Sequence, residues 1–197
     1  MRVVRAGDYA VMPWKNGGGS TTEVLVHPAG ASLEDFEWRV SMAAVEQDGA
    51  FSAFPGIDRT LTLYGGPRMV LAFDGGRMIA LTPQDPTIRF AGEAIVNAAV
   101  PEGAVGDFNV MTRRSRYHHL FERFAVASQT VSLSRVGSGT LLFLAAGKGM
   151  TCKDAAGNAA TLGERDAVLL DVADSVTWQL VTAEPLIIFR VELFLLP

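Results

Sequence analysis

The chain has 197 residues, a formal net charge of −4 and a pI near 5.4, with 49% hydrophobic and 19% charged residues. That length buries a substantial core in one or two domains, and the acidic balance argues against nucleic acid as a partner. No apolar run approaches the roughly 20 residues that a membrane-spanning helix needs. The lone Cys152 excludes an intrachain disulfide and fits a reducing compartment as a buried spectator thiol.

The opening "MRVVRAGDYAVMPW" lacks the apolar core of a signal peptide, so a cytoplasmic location is expected. Next comes "PWKNGGGSTTEV", residues 13–24, which has the glycines of a phosphate loop but neither its order nor its context. Lys15 precedes the glycines and a strand-like run follows them, whereas a phosphate loop places Gly-Lys-Ser/Thr at the start of a helix. Asn16-Gly17 and the two glycines after it instead permit positive φ and a tight reversal. The turn accounts for the glycines, though not for Trp14, Lys15, Thr22 and Glu23 around them.

Over the whole chain, 20 glycines and 9 prolines punctuate short runs rich in Val, Leu, Phe and Thr, the pattern of an all-β sandwich or barrel. Strands are expected at 20–28, 36–46, 59–65, 68–75, 77–82, 94–100 and 107–114. They continue at 129–136, 139–147, 166–172, 175–182 and 185–196. Helix is scarce: "SLEDFEW" offers Ser32 as a cap with Asp35 at the capping-box position, and "RYHHLFERFAV" is a second short candidate. The basic run "TRRSRYHHLFER" reads as a solvated turn or a substrate mouth.

The two halves use a similar device. Both "LTLYGGPRMVLAFDGGRMIALTPQD" and "TLLFLAAGKGMTCKDAAGNAATLGERD" run strand, glycine-rich turn, strand and short element, a weak self-similarity. Two barrels are expected, spanning 1–120 and 121–197 with strands open to exchange between them. The ligand pocket is expected in the first.

Period-2 alternation assigns faces within a strand. Arg39, Ser41 and Ala43 share one side, with Phe36, Trp38, Val40 and Met42 on the other. Arg59, Leu61 and Leu63 lie together, opposite Asp58, Thr60 and Thr62. Asp107, Asn109 and Met111 share a face. Thr21, Glu23 and Leu25 oppose Thr22, Val24 and Val26. Taken singly, each polar residue fits an ordinary solvent-facing strand. As a set they do not, because lysine appears three times against fourteen arginines. Arg, Asn, Asp and Ser among aromatics are how pockets are lined, and arginine grips a carboxylate through two parallel hydrogen bonds.

With these stretches in view, the chain is identified as a member of the HutD/Ves family of bicupins. The resemblance rests on "MPWKNGGGSTTEV", "FEWRVSMAAVEQDGAFSAFPGIDRTLTLYGG", "GDFNVMTRR" and the turn "TLGERDAVLLD". It implies an all-β bicupin of two cupin-like barrels, commonly dimeric, with a role in histidine utilisation: sensing or limiting a formylglutamate- or urocanate-like intermediate. The positions it carries over as ligand-binding are Trp14, Lys15, Asn16, Thr22, Glu23 and Arg39. Ser41, Phe51, Asp58, Arg59, Asp107 and Asn109 complete the set. Arg59 is the preferred anion anchor and Arg39 the second; Glu23, Asp58 and Asp107 are expected to fix the arginines.

Metal-binding cupins resemble one another in using two closely spaced His, a Glu and a later His. This chain has only His27, His118 and His119, with no H-x-H, so neither a metal nor another cofactor is expected. Two functions remain. One is a binding or regulatory protein for a small carboxylate, with a homodimer as the assembly the resemblance implies. The other is a metal-free isomerase, lyase or amidohydrolase using Glu23, Asp107 or Lys15 for acid-base work. No Ser-His-Asp or Cys-His arrangement supports a covalent route.

Overall fold

The computed structural model describes residues 1–127 and 130–197. Two compact units emerge: Ala10–Tyr117, and a second that combines Met1–Tyr9 with His118–Pro197. The strands in chain order are β1 (Arg2–Val4), β2 (Ala10–Pro13), β3 (Gly19–His27), β4 (Trp38–Val45), β5 (Gly49–Ala50) and β6 (Ile57–Gly65). They continue as β7 (Met69–Phe73), β8 (Met78–Leu81), β9 (Thr87–Ala91), β10 (Val96–Ala99), β11 (Val105–Arg113) and β12 (Tyr117–Val126). The chain closes with β13 (Thr130–Ser134), β14 (Gly139–Ala146), β15 (Met150–Asp154), β16 (Ala159–Leu162), β17 (Ala167–Asp171), β18 (Thr177–Thr182) and β19 (Leu186–Leu195).

The unit Ala10–Tyr117 holds a six-stranded sheet, β2-β3-β4-β11-β6-β9, and a four-stranded sheet, β5-β10-β7-β8. The other holds β1-β17-β14-β19-β12 and β13-β18-β15-β16. Adding eight to each strand number turns β4-β11-β6-β9 into β12-β19-β14-β17, and β5-β10-β7-β8 into β13-β18-β15-β16. The weak sequence likeness of the halves therefore corresponds to one topology used twice, with antiparallel pairing in both units.

Each unit has its own apolar core, as two layers with alternating strands require. Leu61, Leu63, Met69, Leu71, Val96 and Val105 fill the first. Leu142, Leu144, Met150, Leu162, Trp178 and Ile188 fill the second, where Cys152 is also fully buried. Burial pushes its thiol up to about 12.

Among the described residues there is no α-helix; one 3-10 turn spans Ala6–Asp8. Both expected helical segments form something else. At Ser32 the hydroxyl meets Asp35 at 2.8 Å and Phe36 N–H donates to Ser32 O at 3.2 Å, but the chain makes a single capped turn before entering β4. The stretch 116–126 becomes β12, a ten-residue strand, because a short mixed apolar run does not by itself separate helix from strand. The expected strand at 129–136 begins on Gln129, which lies outside the described residues. Strands β1, β2, β5, β9, β15 and β16 were not anticipated; all are short, and β1, β5 and β9 take their hydrogen bonds from neighbours distant in sequence, whereas β2 pairs with β3 and β15 with β16 as hairpins. The expected barrel boundary at 120/121 puts Arg2–Val4 with the first barrel, whereas β1 pairs with Ala167–Asp171 and belongs to the second unit.

No helix among the described residues is long and apolar enough to cross a membrane.

Candidate functional site

Register builds the site. On β11, Met111 stands opposite both Arg39 of β4 and Arg59 of β6; Asn109 stands between Ser41 and Leu61; Asp107 stands between Ala43 and Leu63. These residues form three layers on the inward face of one sheet, with successive layers about 7 Å apart. All of them except the core residues Leu61 and Leu63 line a cavity of about 500 Å³ inside the unit Ala10–Tyr117, within the size range of small-molecule sites.

The polar lining is deeply buried. Arg39 is 5% exposed, Arg59 7%, Asn109 4% and Asp107 1%. Arg39 Nε donates to Glu23 Oε2 at 2.9 Å, and its Nη1 to Ser41 Oγ at 3.3 Å. Arg59 Nε donates to Asn109 Oδ1 at 2.7 Å, and Asn109 Nδ2 donates to Asp107 Oδ1. The Asn109 amide thus bridges cation and carboxylate. Its orientation is fixed, since oxygen must face the guanidinium and nitrogen the carboxylate. The Arg59 guanidinium carbon lies 4.7 Å from the Phe51 ring centroid and 5.3 Å from that of Phe90, so two aromatic faces clamp it. Among the described residues no hydrogen bond reaches its two terminal nitrogens. A buried guanidinium held this rigidly, with its fork unengaged, is prepared for a planar anion.

Burial and mutual charge shift both ends of the bridge. Desolvation lowers Arg59 to about 10, against the attraction of Asp107, with Arg39 adding to the fall. Desolvation raises Asp107 to about 6, opposed by Arg59 and by the Asn109 hydrogen bond.

The glycine-rich turn forms the rim. Trp14 N–H donates to Gly19 O at 2.9 Å and Gly17 N–H to Trp14 O at 3.0 Å, which closes a hairpin between β2 and β3. Gly17 has φ +71, which favours glycine, and a Cβ on Gly19 would stand 2.1 Å from Ala44 O. Glycine at 19 lets the Trp14 indole lie over the backbone, where Nε1 donates to Thr21 Oγ1 at 2.8 Å. Lys15, Asn16 and Phe51 line the cavity as well. Asn16 Oδ1 also accepts from Gly18 N at 3.1 Å, bracing the turn.

Ten of the twelve candidates converge: nine line the cavity and Glu23 holds Arg39. Thr22 and Asp58 do not join them. Thr22 is register partner to Met42, on the opposite face of the sheet; Thr21 lines the cavity in its place. Asp58 was expected to fix Arg59, but alternation turns it outward, where it binds Arg114 at 2.8 Å and Arg89 at 3.5 Å. A bulge after Glu23 also moves Leu25 to the face of Val40, so simple alternation fails there. Phe36 precedes β4 and packs with Ile57 and Met111 rather than beside Trp38. Phe90 was missed altogether. Its signal is cross-strand, since it is the register partner of Arg59 on β9. The basic run at 112–123 fastens loops: Arg113 binds the carbonyls of Phe36 and Glu34, Arg114 binds Asp58 and Glu93, and Arg116 binds Glu37.

The donor set does not suit a metal ion. The cavity lining offers one carboxylate and no imidazole beside the cations Lys15, Arg39 and Arg59, whereas a divalent ion needs converging anionic or imidazole ligands. Nor does any group of three or more His, Cys, Asp or Glu side chains suited to a metal occur among the described residues. His27 stacks on Trp38 and His118 on Phe194 instead.

In the other unit the same lattice positions are differently filled. There Leu142 and Leu144 occupy the core places of Leu61 and Leu63, so Thr140 corresponds to Arg59. Their partners across the strand are Arg190 for Leu142 and Glu192 for Thr140. Arg190 Nε donates to Glu192 Oε1 at 2.7 Å, and Glu192 also accepts from Thr140 Oγ1 and from Gly137 N.

The HutD family model matches residues 6–188, and the chain belongs to the HutD/Ves family. An uncharacterised 21.2 kDa protein encoded in the hutC 3′ region of Pseudomonas putida is 35% identical over 176 residues, covering 89% of this chain and 90% of that protein. Protein Ves of Citrobacter koseri is 38% identical over 104 residues, 52% of this chain and 53% of Ves. A conserved protein of unknown function from Pseudomonas aeruginosa PAO1 superposes with TM-score 0.90 at 30% identity, covering 98% of both chains. HutD from Pseudomonas fluorescens SBW25, in a formate condition, superposes with TM-score 0.83 at 30% identity, covering 100% of this chain and 99% of that one. At the level of fold alone, Bacillus subtilis oxalate decarboxylase matches with TM-score 0.65 at 10% identity over 98% of this chain and 77% of that one. The fold is an all-β bicupin.

Proposed function

We propose that this HutD-family chain binds a small carboxylate metabolite in the cavity between Arg39 and Arg59, without a metal, and serves a sensing or regulatory role in histidine utilisation. The observation that carries the reading is Arg59: buried, clamped by Phe51 and Phe90, oriented by Asn109, and left with an unengaged fork facing a cavity of about 500 Å³. Arg39, held by Glu23, supplies the second cation. Ser41 and Asn109 add hydrogen-bonding groups, and Trp14 and Phe51 wall the space. The metabolic setting draws on the P. putida relative encoded in the hutC 3′ region. A formylglutamate- or urocanate-like acid is the ligand class this setting favours.

A thermal-shift screen of small carboxylates, followed by calorimetry on the wild type and Arg59→Ala, tests the proposal, because a ligand that prefers the folded form raises its melting temperature. Loss of the buried charge-assisted bonds weakens binding by about 2 kcal/mol or more. Unchanged affinity in a folded variant overturns the role given to Arg59.

One observation favours a second reading. Asp107, raised to about 6 beside a cationic cavity, has the poise of a general acid-base group in a metal-free isomerase, lyase or amidohydrolase. Incubating purified protein with formylglutamate or urocanate separates the two: product formation supports an enzyme, and saturable binding without product supports a sensor.

A further inference from the structure

Resting on the reading above, we infer that binding of an anion at Arg59 is coupled to uptake of one proton by Asp107, so that the cavity is a proton-linked site. The proton comes from solvent and settles on Asp107 Oδ2. Occupancy then reports ligand and pH together.

Three groups in series carry the coupling. Arg59 Nε donates to Asn109 Oδ1 at 2.7 Å, and Asn109 Nδ2 donates to Asp107 Oδ1. Asp107 lines the cavity, is 1% exposed and takes only that hydrogen bond. Among the described residues no hydrogen bond reaches Oδ2, and no ion pair of 4 Å or less joins Asp107 to Arg59. Its negative charge therefore depends on one amide and on the attraction of Arg59 across that amide. Burial has already raised Asp107 to about 6 against this attraction. An anion on the open fork of Arg59 cancels the attraction, and the carboxyl rises further.

The span sets the size of the effect. Arg59 Nε reaches the Asn109 oxygen, so the guanidinium lies near the Asn109 level, and Asp107 stands one layer deeper, about 7 Å along the strand. Unit charges about 7 Å apart at an effective dielectric of about 20 move a titration by between one and two pH units. The remaining charged groups around the cavity are Arg39 from β4, its partner Glu23 from β3, and Lys15 from the turn between β2 and β3. No imidazole lines the cavity, and Arg59 is lowered only to about 10, so between pH 6 and 8 the proton goes to Asp107. Because the occupied cavity holds more protons than the free one, affinity falls as pH rises, by about tenfold from pH 6 to 8.

Calorimetry with N-formylglutamate and with acetate tests the coupling, since both are fully ionised over that range. At pH 7, titrations in HEPES and in Tris give the proton count from the dependence of the observed heat on buffer ionisation heat. The wild type is expected to take up about half a proton or more per anion and to lose about tenfold in affinity from pH 6 to 8. Asp107→Asn, which holds the site neutral, is expected to take up none, to bind independently of pH, and to bind more tightly than the wild type at pH 8. Where that variant does not fold, the wild-type proton count and pH slope still decide. Binding without proton uptake and without pH dependence refutes the coupling and leaves the carboxylate reading standing. Uptake that persists in Asp107→Asn overturns the role of Asp107. If neither probe binds and other small carboxylates fail as well, the carboxylate reading falls and the inference falls with it.

Discussion

Replacing Asp107 by asparagine is expected to remove a pH dependence of stability that one buried carboxylate imposes. In the folded chain Asp107 rests near 6, against 3.8 for an unperturbed aspartate. Because the folded value is raised, the protonated form is the one the fold favours. Its stabilising contribution is complete below the unfolded value near 4 and disappears as pH rises through about 6. A displacement of about two pK units corresponds to about 3 kcal/mol. The groups facing this carboxylate are Asn109 and Arg59, with Arg39 acting on Arg59. Arg59, lowered only to about 10, keeps its charge throughout the window, so the titration belongs to Asp107. Urea unfolding at pH 4 to 8 measures it. Tryptophan fluorescence is the readout, in a Trp178→Phe background that leaves Trp14 and Trp38, both in the unit containing Asp107. The wild type should lose about 2.4 kcal/mol relative to Asp107→Asn between pH 4 and 7, and the variant subtraction cancels the other carboxylates. Parallel stability curves for the two proteins would refute the argument.

The turn and the lone thiol give two further tests. Gly19→Ala puts a Cβ 2.1 Å from Ala44 O, a backbone atom that cannot swing aside, so calorimetric melting should show a loss of several kcal/mol or no soluble protein. Gly17→Ala meets open space but keeps φ +71, and it should cost only about 1 kcal/mol; equal effects at the two positions would contradict the packing explanation. Cys152, buried and pushed up to about 12, should resist Ellman's reagent in native protein and react only on unfolding. Fast native labelling would show that the second core opens readily.

The sequence was most legible where its pattern repeats locally. Alternation along 39–43, 59–63 and 107–111 is enough to place Arg39, Ser41, Arg59, Asp107 and Asn109 on inward faces, because each run lies in a single strand with a constant period of two. Two kinds of feature escaped. Thr22 and Asp58 were grouped with the site by resemblance to the family, although their own alternation points them to the opposite face. Phe90 and the Asn109 bridge depend on which strands become neighbours, and nothing local encodes that β9 lies beside β6. The bulge after Glu23 is likewise a cross-strand event. The short strands β5, β9 and β16 have too little sequence to show a period, and their partners supply the hydrogen bonds that define them.

The duplicated topology offers a physical comparison inside one chain. In the unit His118–Pro197 the inward arginine, Arg190, is paired with a carboxylate from its own strand, Glu192, which also accepts from a hydroxyl and backbone N–H groups. A deeply buried charge needs such a partner, since an uncompensated guanidinium in a low-dielectric interior is costly. In the unit Ala10–Tyr117 the position matching Glu192 is Met111, which has no charge to offer, and Arg59 leans on an amide and two aromatic rings instead. One barrel therefore carries a carboxylate at the position where the other has Met111, the register neighbour of its open Arg59. The difference explains why a cavity with an unengaged guanidinium belongs to the first unit. It also fits a carboxylate as the expected ligand, because the second barrel sets Glu192 beside the inward Arg190, with Glu192 one layer from the position that matches Asn109. Introducing Met111→Glu should supply that anion in cis, engage Arg59 and abolish carboxylate binding while the protein stays folded; retained binding would separate Arg59 from the anion site.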